Sequence, residues 1–197
     1  MSKKINTAIL ISGRGSNMEA LIKACDQSNF PAKISLVIAN KNQAQGLIFA
    51  KNHGIKTNII EHQNFLDREQ FEKKINQILL ENNIELICLA GFMRILSPFL
   101  VKQWKDRIIN IHPSLLPDFK GANAVKDAIE AKVKISGCTT HFVSEKVDDG
   151  KIIMQAQVEV SPDDDQLSLA KKILSIEHQI YPATLKKVCE MLLKNVN

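Results

Sequence analysis

The chain predicts an α/β protein built on a doubly wound sheet, parallel through its N-terminal half and mixed through its C-terminal half. Short apolar runs alternate with stretches of helical period from residue 7 to residue 90, the pattern of parallel strands joined by crossovers. Those runs are continuous rather than alternating, as strands covered on both faces require. From residue 107 onward, further strand-like runs precede two helical stretches, so a mixed sheet is expected there.

Residues 7–11 form the first run and end at Ser12-Gly13, a buried strand entering a turn. A helix over 18–26 follows, and residues 34–39 repeat the strand pattern. Residues 45–52 are helical and close on His53-Gly54, where glycine supplies the left-handed cap. A third strand spans 55–60, Asp67 is placed to cap a long amphipathic helix over 69–82, and 84–90 returns to an apolar strand. In such a Rossmann-like arrangement the crossovers are right-handed and ligands bind beyond the carboxyl ends of the strands. The later half reads as strands over 107–111, 139–143 and 152–160 and helices over 167–180 and 184–193. Residues 113–124 hold three glycine or proline breakers and little periodicity, which predicts a mobile binding loop.

At 197 residues the chain is long enough to bury a large core, as one domain or two closely joined lobes. With 45% apolar and 24% charged residues and no low-complexity tract, it is expected to be ordered throughout. The apolar run 8–11 is too short for a signal-peptide core or a membrane span, so no membrane partner and a cytoplasmic location are expected. Cys25, Cys88, Cys138 and Cys189 stand 50 or more positions apart without a Cys-x-x-Cys pair, which predicts buried thiols. The net charge of +5 is spread along the chain, with one Trp and one Tyr to stack on bases. That distribution argues against a nucleic-acid partner and leaves a mild field able to steer small anions.

Three features point to chemistry. The first strand empties into Ser12-Gly13-Arg14-Gly15-Ser16-Asn17 and then a helix, placing bare N–H groups and a helix N-terminus where an anion can sit. It reads as a phosphate cradle, although Met18 stands where a full Gly-x-Gly-x-x-Gly would have its third glycine. Next, Asn110 and His112 project from one face of a strand that Pro113 stops just beyond them. An amide that donates to a developing oxyanion, beside an imidazole that carries a proton, equips a site for attack on a carbonyl carbon. The stiff run Pro113-Ser114-Leu115-Leu116-Pro117 would hold that pair in place.

Among the other histidines, His53 and His62 read as surface residues and His178 falls on a helix, while His141 lies inside a strand, as a satisfied core imidazole or a reactive one. The third feature is the acidic turn Asp148-Asp149-Gly150, whose carboxylate could hold His112 in its protonated form; the residues do not choose between Asp148 and Asp149. Asp163-Asp164-Asp165 reads as a helix cap with dipole-matched acids, and no metal is expected.

Taken in order, Ser12-Gly13-x-Gly15-Ser16-Asn17, Ala90-Gly91-Phe92-Met93-Arg94-Ile95-Leu96, Asn110-Ile111-His112-Pro113-Ser114-Leu115-Leu116-Pro117 and Gly137-Cys138-Thr139-Thr140-His141-Phe142-Val143 resemble the phosphoribosylglycinamide formyltransferases. The resemblance runs through nearly the whole chain. It implies one catalytic domain over 1–197 with the formyltransferase fold, about 1–100 binding the phosphate substrate and about 101–197 carrying catalysis and folate. These enzymes move the formyl group of 10-formyltetrahydrofolate, a co-substrate, to the amine of glycinamide ribonucleotide in purine synthesis.

By that resemblance Gly15, Ser16 and Asn17 hold the ribonucleotide phosphate and Glu177 binds the same substrate. The folate contacts would be Arg68, Met93, Arg94, Ile95, Leu96 and Asn110, with the pterin near Ser144, Glu145, Lys146, Val147 and Asp148. Asn110, His112 and Asp148 match the family's catalytic trio: the substrate amine attacks the formyl carbon, Asn110 and protonated His112 stabilise the oxyanion, and Asp148 tunes the histidine. The chain departs from the common pattern at Gly121-Ala122-Asn123-Ala124-Val125, at Leu174 and at Lys151, none of which belongs to the trio. A monomer and a homodimer are equally compatible with these residues.

Two related activities are expected to be excluded. A formyltetrahydrofolate deformylase would carry an N-terminal regulatory domain and needs no phosphate cradle, and a methionyl-tRNA formyltransferase would add a C-terminal tRNA-binding domain. A non-catalytic nucleotide sensor is disfavoured by the intact trio.

Overall fold

The computed structural model describes residues 3–194. Seven strands form one sheet in the spatial order β3-β2-β1-β4-β5-β6-β7: β1 Ile5–Ile11, β2 Ala32–Ala39, β3 Lys56–Ile59, β4 Leu86–Leu89, β5 Ile108–His112, β6 Ile135–Phe142 and β7 Ile152–Glu159. Neighbouring strands from β3 through β5 pair in parallel, whereas β5 with β6 and β6 with β7 pair antiparallel. The parallel first half and mixed second half are therefore as expected.

Among the described residues six α-helices cover the sheet: α1 Ser16–Cys25, α2 Gly46–Asn52, α3 Arg68–Glu81, α4 Pro98–Gln103, α5 Ala124–Glu130 and α6 Gln166–Lys194. The period-two alternation of the strands divides the core in two. Ile9 and Ile11 of β1 and Ile109 and Ile111 of β5 pack with residues of α1 and α6, while Ala8, Leu10 and Ile108 pack with α3 and α4. Each fully buried large apolar side chain stabilises the fold by roughly 1.5–3 kcal/mol.

Two helices were not expected. α4 begins with Pro98 directly after Ser97 and has six residues, too few for a period to show. α5 falls at the end of the stretch read as a loop, and the residues it buries are Ala124 and Ala128, small side chains that give little apolar signal. The two helices expected at the C-terminus are one, running through Pro182. A proline inside a helix removes a hydrogen bond and normally breaks it. Here packing on both sides holds the helix to the sheet: Tyr181 is fully buried and donates to the carbonyls of Leu89 (2.9 Å) and Ile109 (3.1 Å), and Thr184 and Leu185 beyond it are also buried.

The strand order reverses between β1 and β4, and ligands of such sheets collect at that switch point, beyond the carboxyl ends of the strands.

Candidate active site

At the end of β1 the backbone turns through Gly15, whose φ of +79° is the left-handed conformation that glycine adopts without strain, and α1 starts at once. The first intrahelical bond runs from the Glu19 N–H to the Gly15 carbonyl (2.9 Å), so the N–H groups of Ser16, Asn17 and Met18 lack helical acceptors. Ser16 and Asn17 border a cavity of about 300 Å³ lined by residues 12–17 together with Lys41, Ala90, Gly91 and Met93. From α6, Glu177 reaches this loop and accepts a 2.8 Å hydrogen bond from the Asn17 amide. Burial pushes the Glu177 carboxyl above its ordinary range, and the Asn17 hydrogen bond only partly opposes that. The Asn17 side-chain oxygen, Oδ1, is buried and has no protein partner. An orphaned acceptor beside unpaired N–H groups is a site waiting for a polar ligand.

The second cluster lies on the sheet face shared with α3 and α4, past the apolar cover that Ile108 belongs to. β5 carries Asn110 and His112 there, and the antiparallel register sets His141 of β6 opposite Asn110 and Thr139 opposite His112. Asn110 Nδ2 lies 3.2 Å from His141 Nε2, while His141 Nδ1 is 2.9 Å from the Phe142 carbonyl.

The loop after β6 returns over this face because Gly150 has no side chain: a Cβ there would stand 1.7 Å from the Phe142 oxygen. That approach brings Asp148 to 3.3 Å from His112 Nδ1 and 3.6 Å from His141 Nε2, while its carboxylate also accepts the Gly121 N–H at 2.9 Å. Burial would raise the Asp148 carboxyl, but the hydrogen bonds from His141 and Gly121 and the charges of both imidazoles outweigh it and hold the group below its ordinary value. Asp149 is exposed and pairs with Lys120 instead. The choice that the residues alone left open thus falls on Asp148.

His112 is 5% exposed and has both ring nitrogens engaged: Nδ1 faces Asp148, and Nε2 contacts the Phe119 carbonyl at 2.8 Å. Both neighbours are oxygen acceptors. The stretch expected to be a mobile loop is held by several such bonds, among them Ser114 Oγ to the Asp118 carbonyl (2.6 Å) and Leu116 N–H to Thr139 Oγ1 (3.0 Å).

Between the two clusters runs the segment after β4. Phe92 and Leu96 are buried in the α3 and α4 core, which leaves Met93 and Ile95 exposed at 71% and 57% and Arg94 half-buried. Ser12 ties this segment to the cradle, its Oγ accepting the Met93 N–H at 2.8 Å. Arg68, exposed at the first turn of α3, borders a second cavity of about 570 Å³ with Asp67, Glu69, Gln70, Lys73 and Ser97. In the loop 144–148, Ser144 Oγ donates to the Lys146 carbonyl (3.0 Å), Glu145 pairs with Lys102 (3.7 Å), and Val147 is 45% exposed.

The structure therefore gathers Gly15, Ser16, Asn17 and Glu177 in one place and Asn110, His112 and Asp148 in another, with Met93 on the cavity of the first. One polar group was missed: Lys41 lies after β2 with no motif around it. His141, left open between a core imidazole and a reactive one, is set across from Asn110 by the strand register. His62, read as a surface residue, is half-buried with Nδ1 3.3 Å from the Asn40 carbonyl. Among the described residues, no group of three or more His, Cys, Asp or Glu side chains converges as a metal site would require, and no helix is long and apolar enough to cross a membrane.

The fold, with a loop of unpaired N–H groups at its switch point and an amide, imidazole and carboxylate cluster beyond the adjoining strands, is that of a group-transfer enzyme of the α/β class. Residues 5–185 match the formyl transferase family, and the chain belongs to it. It is 41% identical over 184 residues to the phosphoribosylglycinamide formyltransferase of Haemophilus influenzae, covering 93% of this chain and 86% of that protein. It is 47% identical over 187 residues to the trifunctional purine biosynthetic protein adenosine-3 of Gallus gallus; the match covers 95% of this chain but 19% of that protein. The chain thus spans about a fifth of the length of that relative. In structure it superposes with a TM-score of 0.94 at 36% identity on the glycinamide ribonucleotide transformylase 1 of Symbiobacterium toebii, covering 96% of this chain and 90% of that one.

Proposed function

We propose that the chain transfers the formyl group of 10-formyltetrahydrofolate to the amine of glycinamide ribonucleotide, a step of purine biosynthesis. The observation that carries the reading is the pairing of two sites on one sheet, a cradle of unpaired N–H groups for a phosphate and the cluster Asn110, His112, His141 and Asp148 for an acyl transfer. The names of the Haemophilus, Symbiobacterium and Gallus relatives point the same way.

In this reading Gly15, Ser16 and Asn17 hold the phosphate, and Glu177, fixed by Asn17, accepts hydrogen bonds from the sugar hydroxyls. The exposed apolar surfaces of Met93, Ile95 and Val147 suit the flat rings of the folate, with Arg94, the backbone of Leu96, Ser144, Glu145, Lys146 and Asp148 at its edges and Arg68 toward its anionic tail.

The substrate amine attacks the formyl carbon, and negative charge gathers on the formyl oxygen. Asn110 Nδ2 and an N–H of His112 stabilise that oxyanion, and the proton lost by the amine passes to the departing folate nitrogen by way of Asp148. His112 must first release the Phe119 carbonyl, so the backbone at Phe119 or the His112 ring moves when the substrates bind. The matched span and the single sheet support one catalytic domain, with the proposed halves crossed by Glu177 on one side and Arg68 and Met93 on the other.

The purified chain, given 10-formyltetrahydrofolate, should consume it only when glycinamide ribonucleotide is present, followed by the loss of formylfolate absorbance. Equal consumption without the amine would identify a hydrolase, and none in either case would leave a binding module.

A further inference from the structure

The cavity at the end of β1 has two cationic side chains in its lining, Arg14 and Lys41, and no acidic one. They come from different elements. Arg14 belongs to the loop before α1, and its charge reaches His178 of α6. Lys41 comes from the exit of β2, the strand next to β1, and lines the same cavity as residues 12–17.

Its position is fixed from below. Asn40 is 2% exposed, and its N–H donates to the Ile11 carbonyl (3.3 Å), which pins the residue before Lys41 to the end of β1. On the other side the Ala44 N–H returns to the Lys41 carbonyl (3.3 Å), closing a turn around it. The side chain itself is exposed, and among the described residues it has no carboxylate within ion-pair distance. A cation held at its backbone, left without a counter-charge and sharing a cavity with unpaired N–H groups has an anion as its natural complement. The buried side-chain oxygen of Asn17 in the same lining has no protein partner, and as an acceptor it suits a hydroxyl donor of the substrate beside the anion.

We infer that Lys41 is a specificity-determining residue that closes over the substrate phosphate from the β2 side and selects the phosphorylated substrate over its dephosphorylated counterpart. This rests on the proposed assignment of the cavity to the phosphate. The N–H groups of α1 supply direction, as fixed dipoles do, and Lys41 supplies a full charge that a neutral sugar hydroxyl at the same place would not repay.

The test is Lys41→Ala in the full chain, an exposed substitution that leaves the core untouched. With glycinamide ribonucleotide, KM should rise roughly 10-fold with kcat within about twofold, the loss expected of one charge-assisted hydrogen bond. Inorganic phosphate, as a competitive inhibitor, should weaken by a similar factor. With glycinamide riboside the two enzymes should have equal kcat/KM, and Lys41→Arg should restore most of the discrimination. An unchanged KM for the ribonucleotide, or an equal loss with the riboside, would overturn the assignment of Lys41. A wild-type enzyme that forms no formylated ribonucleotide would instead overturn the proposed function, and competition by inorganic phosphate in a binding assay would still test Lys41 there.

Discussion

Asn17 and Glu177 lie 160 positions apart in the chain and meet in a buried 2.8 Å hydrogen bond that joins the first turn of α1 to the middle of α6. The bond places a carboxyl group whose ionisation is opposed by burial at the rim of the cradle. Its raised pKa means that Glu177 favours the folded state fully below the ordinary value of 4.5 and loses that contribution as pH rises through the folded value. Glu177→Gln keeps the shape and removes the charge. Its melting temperature relative to the parent should therefore climb between pH 4 and pH 8, while KM for the ribonucleotide rises. A difference that stays flat with pH would contradict the buried ionisable group.

Asp148 titrates in the opposite sense. Its carboxyl is held below the ordinary 3.8, so it stabilises the fold above that value, and the contribution is lost as pH falls through the lowered one. Asp148→Asn should show a shallower acid limb in a pH–stability profile. It should also lower kcat by roughly 10²–10⁴-fold with KM for the ribonucleotide nearly unchanged, as should His112→Ala. Rate and binding falling together would assign both residues to substrate binding.

His141 touches both Asn110 and Asp148 without a place of its own in the proposed transfer, which makes it a positioning residue. His141→Ala should reduce kcat by roughly 10–100-fold and change the pH dependence of kcat. An unaltered pH profile with a lowered melting temperature would reduce its part to packing.

The two glycines of the cradle should behave differently. A Cβ on Gly15 would stand 3.1 Å from both the Gly46 Cα and the Met18 Cε, at a φ that side chains avoid. Gly15→Val therefore strains the fold, by about 1–3 kcal/mol, rather than simply filling the cavity. A Cβ on Gly13 meets nothing within 4 Å. Gly13→Ala should keep the parent's melting temperature to within about 0.5 kcal/mol of stability, so its effect on KM can be read cleanly. Equal melting temperatures for Gly15→Val and the parent would refute the strain.

Tyr181→Phe should cost about 1–3 kcal/mol in urea unfolding, because the hydroxyl bridges two buried carbonyls on adjacent strands. A smaller loss would mean that packing around Pro182, rather than this bridge, keeps α6 in one piece.

Much of the fold was legible in the chain because β1, β2 and β4 are apolar runs bounded by strong turn signals. What escaped had a physical reason in each case. α4 and α5 are shorter than two helical periods, and Pro182 argues locally for a break that tertiary contacts override. Within the site, Asn110 and His112 could be paired from spacing alone because they share one strand. Linking them to His141 required the β5–β6 register, and the preference for Asp148 over Asp149, which the resemblance implied, has its physical basis in the close approach at Gly150; neither is a local property of the chain.

Asn110, His112, Thr139 and His141 put four polar side chains on a face that elsewhere carries Ile and Leu. Folding energy has been forgone there: apolar replacements on that patch would make a sturdier protein with no chemistry. The same patch is where an occupant adds most to cohesion. Any molecule that settles on it stabilises the native state in proportion to RT ln(1 + [L]/Kd), whether or not it reacts, so a thermal shift reports occupancy even in a variant that no longer turns over.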